Sequence, residues 1–204
     1  MGLLACCGPK PVNDGGDGGI NLQKRLVVPF HFQEDSNLCW AAGVDMITHY
    51  PPPSTNRVAQ CRQVTDTWAA AGGTGPADCC HPKPTDNCNI TGQPRFDRYG
   101  YRYKRGKPGC HLSWQQIKAE IDADRPFLYD YVTPGRKSAH LEVVAGYQEF
   151  DGQQTLFAYD PNAGVKIEWF DNYFVKGPDW THQVDHYEIQ YDPPNQGLTE
   201  VACQ

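Results

Sequence analysis

The spacing of apolar residues changes once along this chain, near Pro126, and this change restricts the possible folds most. Before it, apolar residues recur at helical spacing from Cys39 to about His49, from roughly Arg57 to Ala70, and again after Ser113. After it, they alternate with polar residues or form short runs, which is typical of strands. Helices followed by an antiparallel sheet predict an α+β fold whose halves meet along a cleft.

The ends of these elements are also marked in the sequence. The prolines after Tyr50 end the first helix, because the residue before a proline avoids helical geometry. Ser113 and Gln116 form a capping box at the start of the third helix. Five strands are predicted in the second half, at 127–129, 141–147, 155–159, 165–170 and 184–191.

The length and composition indicate one compact domain with two irregular regions. The chain has 204 residues, of which 39% are hydrophobic, enough to form a core. Residues 1–25 are rich in Gly, Pro and Asp and lack periodicity, so they are predicted to be a flexible leader. Residues 26–204 then form the domain, with a cysteine-rich, cross-linked insertion at about 71–111.

The nine cysteines suit one free thiol with the others paired. Setting aside Cys39 and the leader pair leaves enough cysteines for three bridges, whose connectivity the sequence leaves open: Cys61, Cys79, Cys80, Cys88, Cys110 and Cys203. A metal site is the alternative for part of this set. The spacing around Cys79 and Cys80 matches no common zinc pattern, so no metal or cofactor is expected.

Charge and hydropathy restrict the classes of partner that the protein can bind and the places where it can be found. A net charge of −6 argues against nucleic acid, and no apolar stretch reaches the roughly 18 residues of a membrane span. The start lacks the basic region of a secretory signal, while Gly2, Cys6 and Cys7 give a weak acylation pattern in which Cys6 replaces the usual Ser or Thr. The many cysteines favour a protein that is secreted or delivered outside the producing cell. A monomer is expected.

The residues around Cys39 form the strongest chemical motif in the chain. Cys39 opens a predicted amphipathic helix, whose unpaired N–H groups and dipole favour the negative charge of a thiolate. Gln33 lies in the polar loop before it, where its amide can donate a hydrogen bond to a developing oxyanion. The pattern predicts Cys39 as a nucleophile and Gln33 as an oxyanion donor.

Gln33, the short polar loop and the Cys39-Trp40-Ala41 helix start together resemble the papain-like cysteine peptidases. The short path from cysteine to histidine is similar to the compact bacterial branch, which includes bacteriocin-leader-processing domains, staphylococcal secreted peptidases and plant-pathogen effector peptidases. The resemblance covers residues 27–192 and leaves the 71–111 insertion outside the shared core. It implies a papain-like α+β fold and hydrolysis of protein or peptide substrates.

The resemblance also assigns the other catalytic residues. The family's histidine opens a strand, and among seven histidines His140 is the one that a predicted strand follows directly. The family's third residue, an Asn or Asp, ends the next strand; Asp160 is the better candidate and Asn162 the alternative. That residue holds the imidazole in its tautomer. If His140 proved distant from Cys39, His182 or His186 would be the next candidates.

Taken singly, these residues have ordinary structural explanations as a buried cysteine, a structural histidine and a turn at Asp160. Their occurrence in the order Gln, Cys, His, Asp, each at the expected element boundary, favours catalysis. Two alternatives stay open. A transglutaminase-like acyltransferase would use the same triad with an amine in place of water, and an inactive papain-like module would use the cleft only to bind.

Overall fold

A computed structural model of the chain describes residues 21–50, 56–81, 86–133, 135, 138–174 and 180–203. Within these ranges the fold is mixed, with four α-helices and one eight-stranded sheet, as the change of periodicity predicts. Most of the predicted leader, residues 1–20, and its acylation pattern lie outside the described residues. Among the described helices, none has the length and apolar character to cross a membrane.

Four helices flank the sheet: α1 (Cys39–Thr48), α2 (Gln60–Ala70), α3 (Trp114–Asp122) and α4 (Phe170–Phe174). The eight strands are β1 (Leu22–Arg25), β2 (Tyr101–Gly106), β3 (Phe127–Val132), β4 (Ala139–Phe150), β5 (Gln153–Asp160), β6 (Gly164–Trp169), β7 (Thr181–Tyr191) and β8 (Gly197–Val201). They are ordered β6-β5-β4-β3-β7-β2-β8, and β1 pairs with β4 beyond the end of β3. Strand β4 is therefore paired with three strands, β1, β3 and β5.

Helix α1 is buried along almost its whole length and lies against β3 and β4. Gly43 permits this close approach, since a Cβ atom there would lie 2.5 Å from Leu141 Cδ2 and 3.0 Å from Leu128 Cδ2. Ala41 and Ala42 are also fully buried, so the face of α1 toward the rest of the domain carries small side chains. The close packing fixes the start of α1 relative to the sheet.

The capping box predicted before the third helix is confirmed. The backbone N–H of Gln116 donates to Ser113 Oγ, and the Ser113 N–H donates to Gln116 Oε1 at 2.8 Å. The second helix begins at Gln60, three residues later than expected, because Arg57 is drawn aside to pair with the buried Asp45 at 2.7 Å.

Two strands lie where the sequence pattern predicts irregular chain. Residues 22–25, assigned to the leader, form β1 and pair antiparallel with Gly146 to Glu149 of β4. Residues 101–106, assigned to the insertion, form β2 between β7 and β8. Within β2 the tyrosines 101 and 103 are buried and Arg102 is exposed, a short alternation that the neighbouring glycines and cysteines obscure. The irregular insertion therefore ends before residue 101.

Three cysteine pairs lie at disulfide distance: Cys61–Cys80, Cys79–Cys88 and Cys110–Cys203. The first joins α2 to the segment that follows it, the second closes a loop within that segment, and the third ties the chain's last described residues to the loop before α3. All six cysteines that the sequence set aside for bridges are used, and Cys39 is the free cysteine of the described residues. Such pairs are typical of oxidising, extracellular surroundings.

Strand β1 can be tested through Gly146, against which its backbone packs. A Cβ atom at Gly146 would lie 2.6 Å from the carbonyl oxygen of Lys24 and 2.9 Å from Arg25 Cα. Gly146→Ala is therefore expected to lower the free energy of unfolding by about 1–3 kcal/mol, because the backbone of β1 must shift. Equilibrium denaturation in urea measures the change.

The matched control is Gly197→Ala, where a new Cβ atom meets nothing within 4 Å. Its denaturation midpoint should stay close to that of the native protein. Equal midpoints for both variants would mean that β1 does not pack on β4 as described.

Candidate active site

The start of α1 and the start of β4 face each other across a cavity of about 110 Å³. Cys39, the first residue of α1, and His140, near the start of β4, both line it. Cys39 is partly exposed and its sulfur is in no disulfide. A reagent in the cavity can therefore reach the sulfur. The two residues that the sequence singles out as nucleophile and base thus share one cavity.

His140 hydrogen-bonds Asp160 and lies close to Cys39. Its Nε2 lies 2.7 Å from Asp160 Oδ1. Burial alone would lower the pKa of His140, but Asp160 and the nearby Cys39 side chain outweigh this effect and raise the pKa to about 9. The imidazolium form is therefore favoured at neutral pH.

Asp160, and not the alternative Asn162, contacts the histidine ring. Asp160 Oδ1 also accepts the backbone N–H of Asn162 at 2.8 Å, and Oδ2 lies 3.5 Å from the Lys166 ammonium. Burial raises the pKa of the Asp160 carboxyl, but His140 and these donors outweigh it and hold the pKa well below its usual range. Asn162 acts here through its backbone, which holds the carboxylate in position.

Behind Asp160 lies a buried network of acids and tyrosines. Lys166 Nζ is 2.8 Å from Glu142 Oε1, and the fully buried Glu142 accepts hydrogen bonds from Tyr131 and Tyr129 at 2.6 and 2.9 Å. The carboxylate of Glu142 is thus balanced by one cation and two hydroxyl donors, as a buried charge requires. The same lysine bridges this network to Asp160.

The structure offers no strong case for a metal at this place. Ligand atoms of His140, Glu142 and Asp160 lie within 4.8 Å of one another. Lys166 contacts both carboxylates, so a protein cation already supplies the positive charge that a metal would bring. Cys79 and Cys80 lie at disulfide distance from Cys88 and Cys61, an arrangement that favours bridges over thiolate ligands of zinc.

Gln33 lies in the loop before α1 and is tied to the turn after Asp160. Its backbone N–H donates to the Pro161 carbonyl at 2.9 Å, and its Nε2 donates to the Asp35 carbonyl at 2.9 Å. Its Oε1 is buried, with no hydrogen-bond partner among the described residues. One N–H of the amide is therefore used within the loop, and the second remains available to a ligand.

The segment around Asn89, which sequence reasoning left outside the core, holds the loop before Cys39. Asn89 Oδ1 accepts the Asn37 backbone N–H at 2.8 Å, and Asn89 Nδ2 donates to Ser36 Oγ at 2.9 Å. The Trp40 indole N–H donates to the Ile90 carbonyl at 3.1 Å. Residues 91–94 then line the cavity beside Cys39. Part of the predicted insertion is thus part of the site.

A glycine two residues before a proline, as in Gly92-Gln93-Pro94, is typical of a turn but gives no sign of this role. Gly92 is needed here because a Cβ atom would lie 2.4 Å from the Trp40 ring. Lys166 and Asp130, which lines the same cavity, were also not singled out by the sequence pattern. Their contacts depend on which strands pair, and no short sequence motif indicates them.

The two reserve histidines have other surroundings. His182 Nδ1 lies 3.0 Å from the Tyr173 carbonyl and its Nε2 lies 3.3 Å from Asp185. His186 is fully buried, and burial together with Arg105 lowers its pKa to about 3. Neither residue lines the cavity that holds Cys39.

The raised pKa of His140 can be measured directly by following its ring protons by NMR. We expect a midpoint near 9 in the native protein and a lower midpoint in Asp160→Asn, which removes the negative charge that favours imidazolium. His140 then stabilises the native fold fully below its unfolded pKa, roughly 6.5, and this contribution is lost as pH rises through about 9.

Asp192→Asn, which removes a partly exposed carboxylate paired with Arg102 and outside the lining of this cavity, is the control and should leave the His140 midpoint unchanged. An unchanged midpoint in Asp160→Asn would show that the Asp160 contact does not set the charge of His140.

A match to a protein family covers the part of the chain that contains this cavity. The model of the Peptidase_C39-like family matches residues 25–187, which is most of the chain and includes Cys39, His140 and Asp160. A search of curated proteins found no match. The matched region runs through residues 71–111, the segment that the sequence pattern set outside the core. On the extent of this match, the chain belongs to the Peptidase_C39-like family.

Proposed function

We propose that this protein is a papain-like cysteine peptidase in which Cys39 is the nucleophile, His140 the general base, Asp160 the orienting residue and Gln33 the oxyanion donor. One observation carries the proposal: Cys39 and His140 line the same open cavity, and His140 Nε2 hydrogen-bonds Asp160. Membership of a peptidase family supports the reaction class.

The reaction begins with a thiolate–imidazolium pair of Cys39 and His140. The Cys39 sulfur attacks the carbonyl carbon of a peptide bond, and His140 protonates the departing amine as the C–N bond breaks. Water then attacks the acyl-enzyme while His140 accepts its proton, and the acid product leaves as the thiolate forms again. Asp160 holds the ring through Nε2, so that Nδ1 faces the sulfur.

The negative charge on the tetrahedral oxygen needs donors beside Cys39. The backbone N–H of Cys39, at the first position of α1, has no partner within the helix and is one such donor. The free N–H of the Gln33 amide is the other, held near the site by the Gln33–Pro161 backbone bond. A preorganised pair of this kind favours the transition state over the flat carbonyl.

We propose a papain-like arrangement for the chain as a whole. We propose that a single domain follows a leader that ends before β1, and that α1 and the sheet are the two walls of the substrate cleft. Peptide or protein segments are the substrates. The three disulfides support secretion or delivery outside the producing cell, while the monomeric state stays a prediction.

Kinetics on a casein or peptide-library substrate test the two roles separately. Cys39→Ala should abolish hydrolysis, because it removes the nucleophile. Gln33→Ala should lower kcat by about 100- to 1,000-fold with little change in KM, since an oxyanion donor acts on the transition state. Release of new amino termini measures the reaction, and added primary amine tests for transfer in place of hydrolysis.

Near-ultraviolet circular dichroism should show an unchanged fold in both variants, because each substitution removes few packing contacts. Substantial hydrolysis by Cys39→Ala would place the nucleophile elsewhere. Incorporation of amine in preference to hydrolysis would favour the acyltransferase alternative.

A further inference from the structure

The cavity beside Cys39 contains a buried carboxylate that the proposed catalytic steps do not use. Asp130 is the acidic residue among those that line it, and only 7% of its surface is exposed. Its Oδ1 atom is buried, with no hydrogen-bond partner in the described part of the chain. A buried oxygen of this kind costs free energy unless a ligand or water satisfies it.

The position of Asp130 follows from strand register. It lies in β3, where it pairs with Leu141 of β4 on one side and Val184 of β7 on the other. Both neighbours are apolar and offer no side-chain donor. Because side chains alternate along a strand, Asp130 lies on the same face of β3 as Leu128, which packs on α1. Asp130 therefore faces the side of the sheet on which Cys39 lies.

The charged groups nearest Asp130 hydrogen-bond other residues in part. Arg105 of β2 donates through Nη2 to Gln93 at 3.4 Å, while its buried Nε has no hydrogen-bond partner among the described residues. Asp185 of β7 accepts from the Tyr173 hydroxyl and the Leu112 N–H. His182 contacts Asp185 in turn. Burial raises the pKa of Asp130 to about 7, opposed by Arg105 and His182. A cation brought next to the carboxyl would draw it into the ionised form.

The remaining cavity walls suit a long aliphatic stem. Trp40, Pro94 and Leu141 supply apolar surface, and Gly92 leaves the approach open. The volume of about 110 Å³ has room for several water molecules, and hence for the end of a side chain that displaces them. A lysine or arginine places methylene groups along such walls and carries its donors at the tip.

We propose that Asp130 is a specificity-determining residue that binds the cationic end of a lysine or arginine side chain of the substrate. The inference rests on the proposed peptidase function, since it takes this cavity as the subsite next to Cys39. The substrate class is then a peptide with a basic residue at one fixed position near the scissile bond.

Reactive peptides test the subsite without a known substrate. Tripeptidyl acyloxymethyl ketones that carry lysine or norleucine at one of their three positions differ only in the terminal ammonium. At one position, the lysine reagent should alkylate Cys39 about 10- to 100-fold faster than the norleucine reagent, the effect of one charge-assisted hydrogen bond. Intact mass against time gives the rates.

Asp130→Asn keeps the side chain's size and removes its charge, so the lysine-to-norleucine ratio should fall to within about threefold of one. Asp151→Asn is the control, because it removes one carboxylate at an exposed turn where a positive φ of 48° tolerates asparagine. It should keep the native ratio. If Asp130→Asn fails to fold, the lysine-to-norleucine rate ratio of the native protein alone tests the proposal.

Equal rates for both reagents at every position of the native protein, or an undiminished ratio in folded Asp130→Asn, would overturn the subsite and leave the peptidase proposal intact. Failure of every reagent to label Cys39 in the folded protein, while iodoacetamide alkylates Cys39 in the unfolded protein, would contradict the proposed function itself.

Discussion

The close packing of α1 against β3 and β4 is the constraint on which the site depends. Gly43, with fully buried alanines before it, lets the helix approach until Leu141 and Leu128 fill the space that a side chain would occupy. The N-terminus of α1 is thereby fixed beside the start of β4. Because packed interiors tolerate little displacement, this contact sets the separation of Cys39 and His140. That Cys39 and His140 line the same cavity is therefore a consequence of helix packing inside the domain.

Two further sets of contacts hold the site residues in place, one on the helix side and one on the sheet side. The Cys79–Cys88 disulfide precedes Asn89, whose amide holds the loop before Cys39, so the cysteine-rich segment is a structural part of the site. On the sheet side, Lys166 joins Asp160 to the buried Glu142 network, and the aspartate is held from behind as well as by Asn162. A triad needs such outer contacts, because the ring and carboxylate must keep one orientation through the reaction.

Sequence reasoning predicted the features that depend on short-range patterns. The α1 helix, the capping box at Ser113, the sheet of the second half and the pairing of His140 with Asp160 all follow from periodicity, local motifs and the family resemblance. It missed β1, because four mostly polar residues show no alternation and gain their order from backbone bonds to β4. It also missed Asp130 and the Asn89 segment, since a residue's place in a cavity depends on which distant strands pair, and no local signal records that.

The central proposal is that His140 activates Cys39, and alkylation of Cys39 by iodoacetamide at one neutral pH tests it most directly. The native protein should be labelled at Cys39 far faster than the unfolded chain, because a base beside the thiol activates the nucleophile. His140→Ala should lower the rate to near that of the unfolded chain. Equal rates for the native and unfolded protein, or a rate that His140→Ala leaves unchanged, would contradict the account.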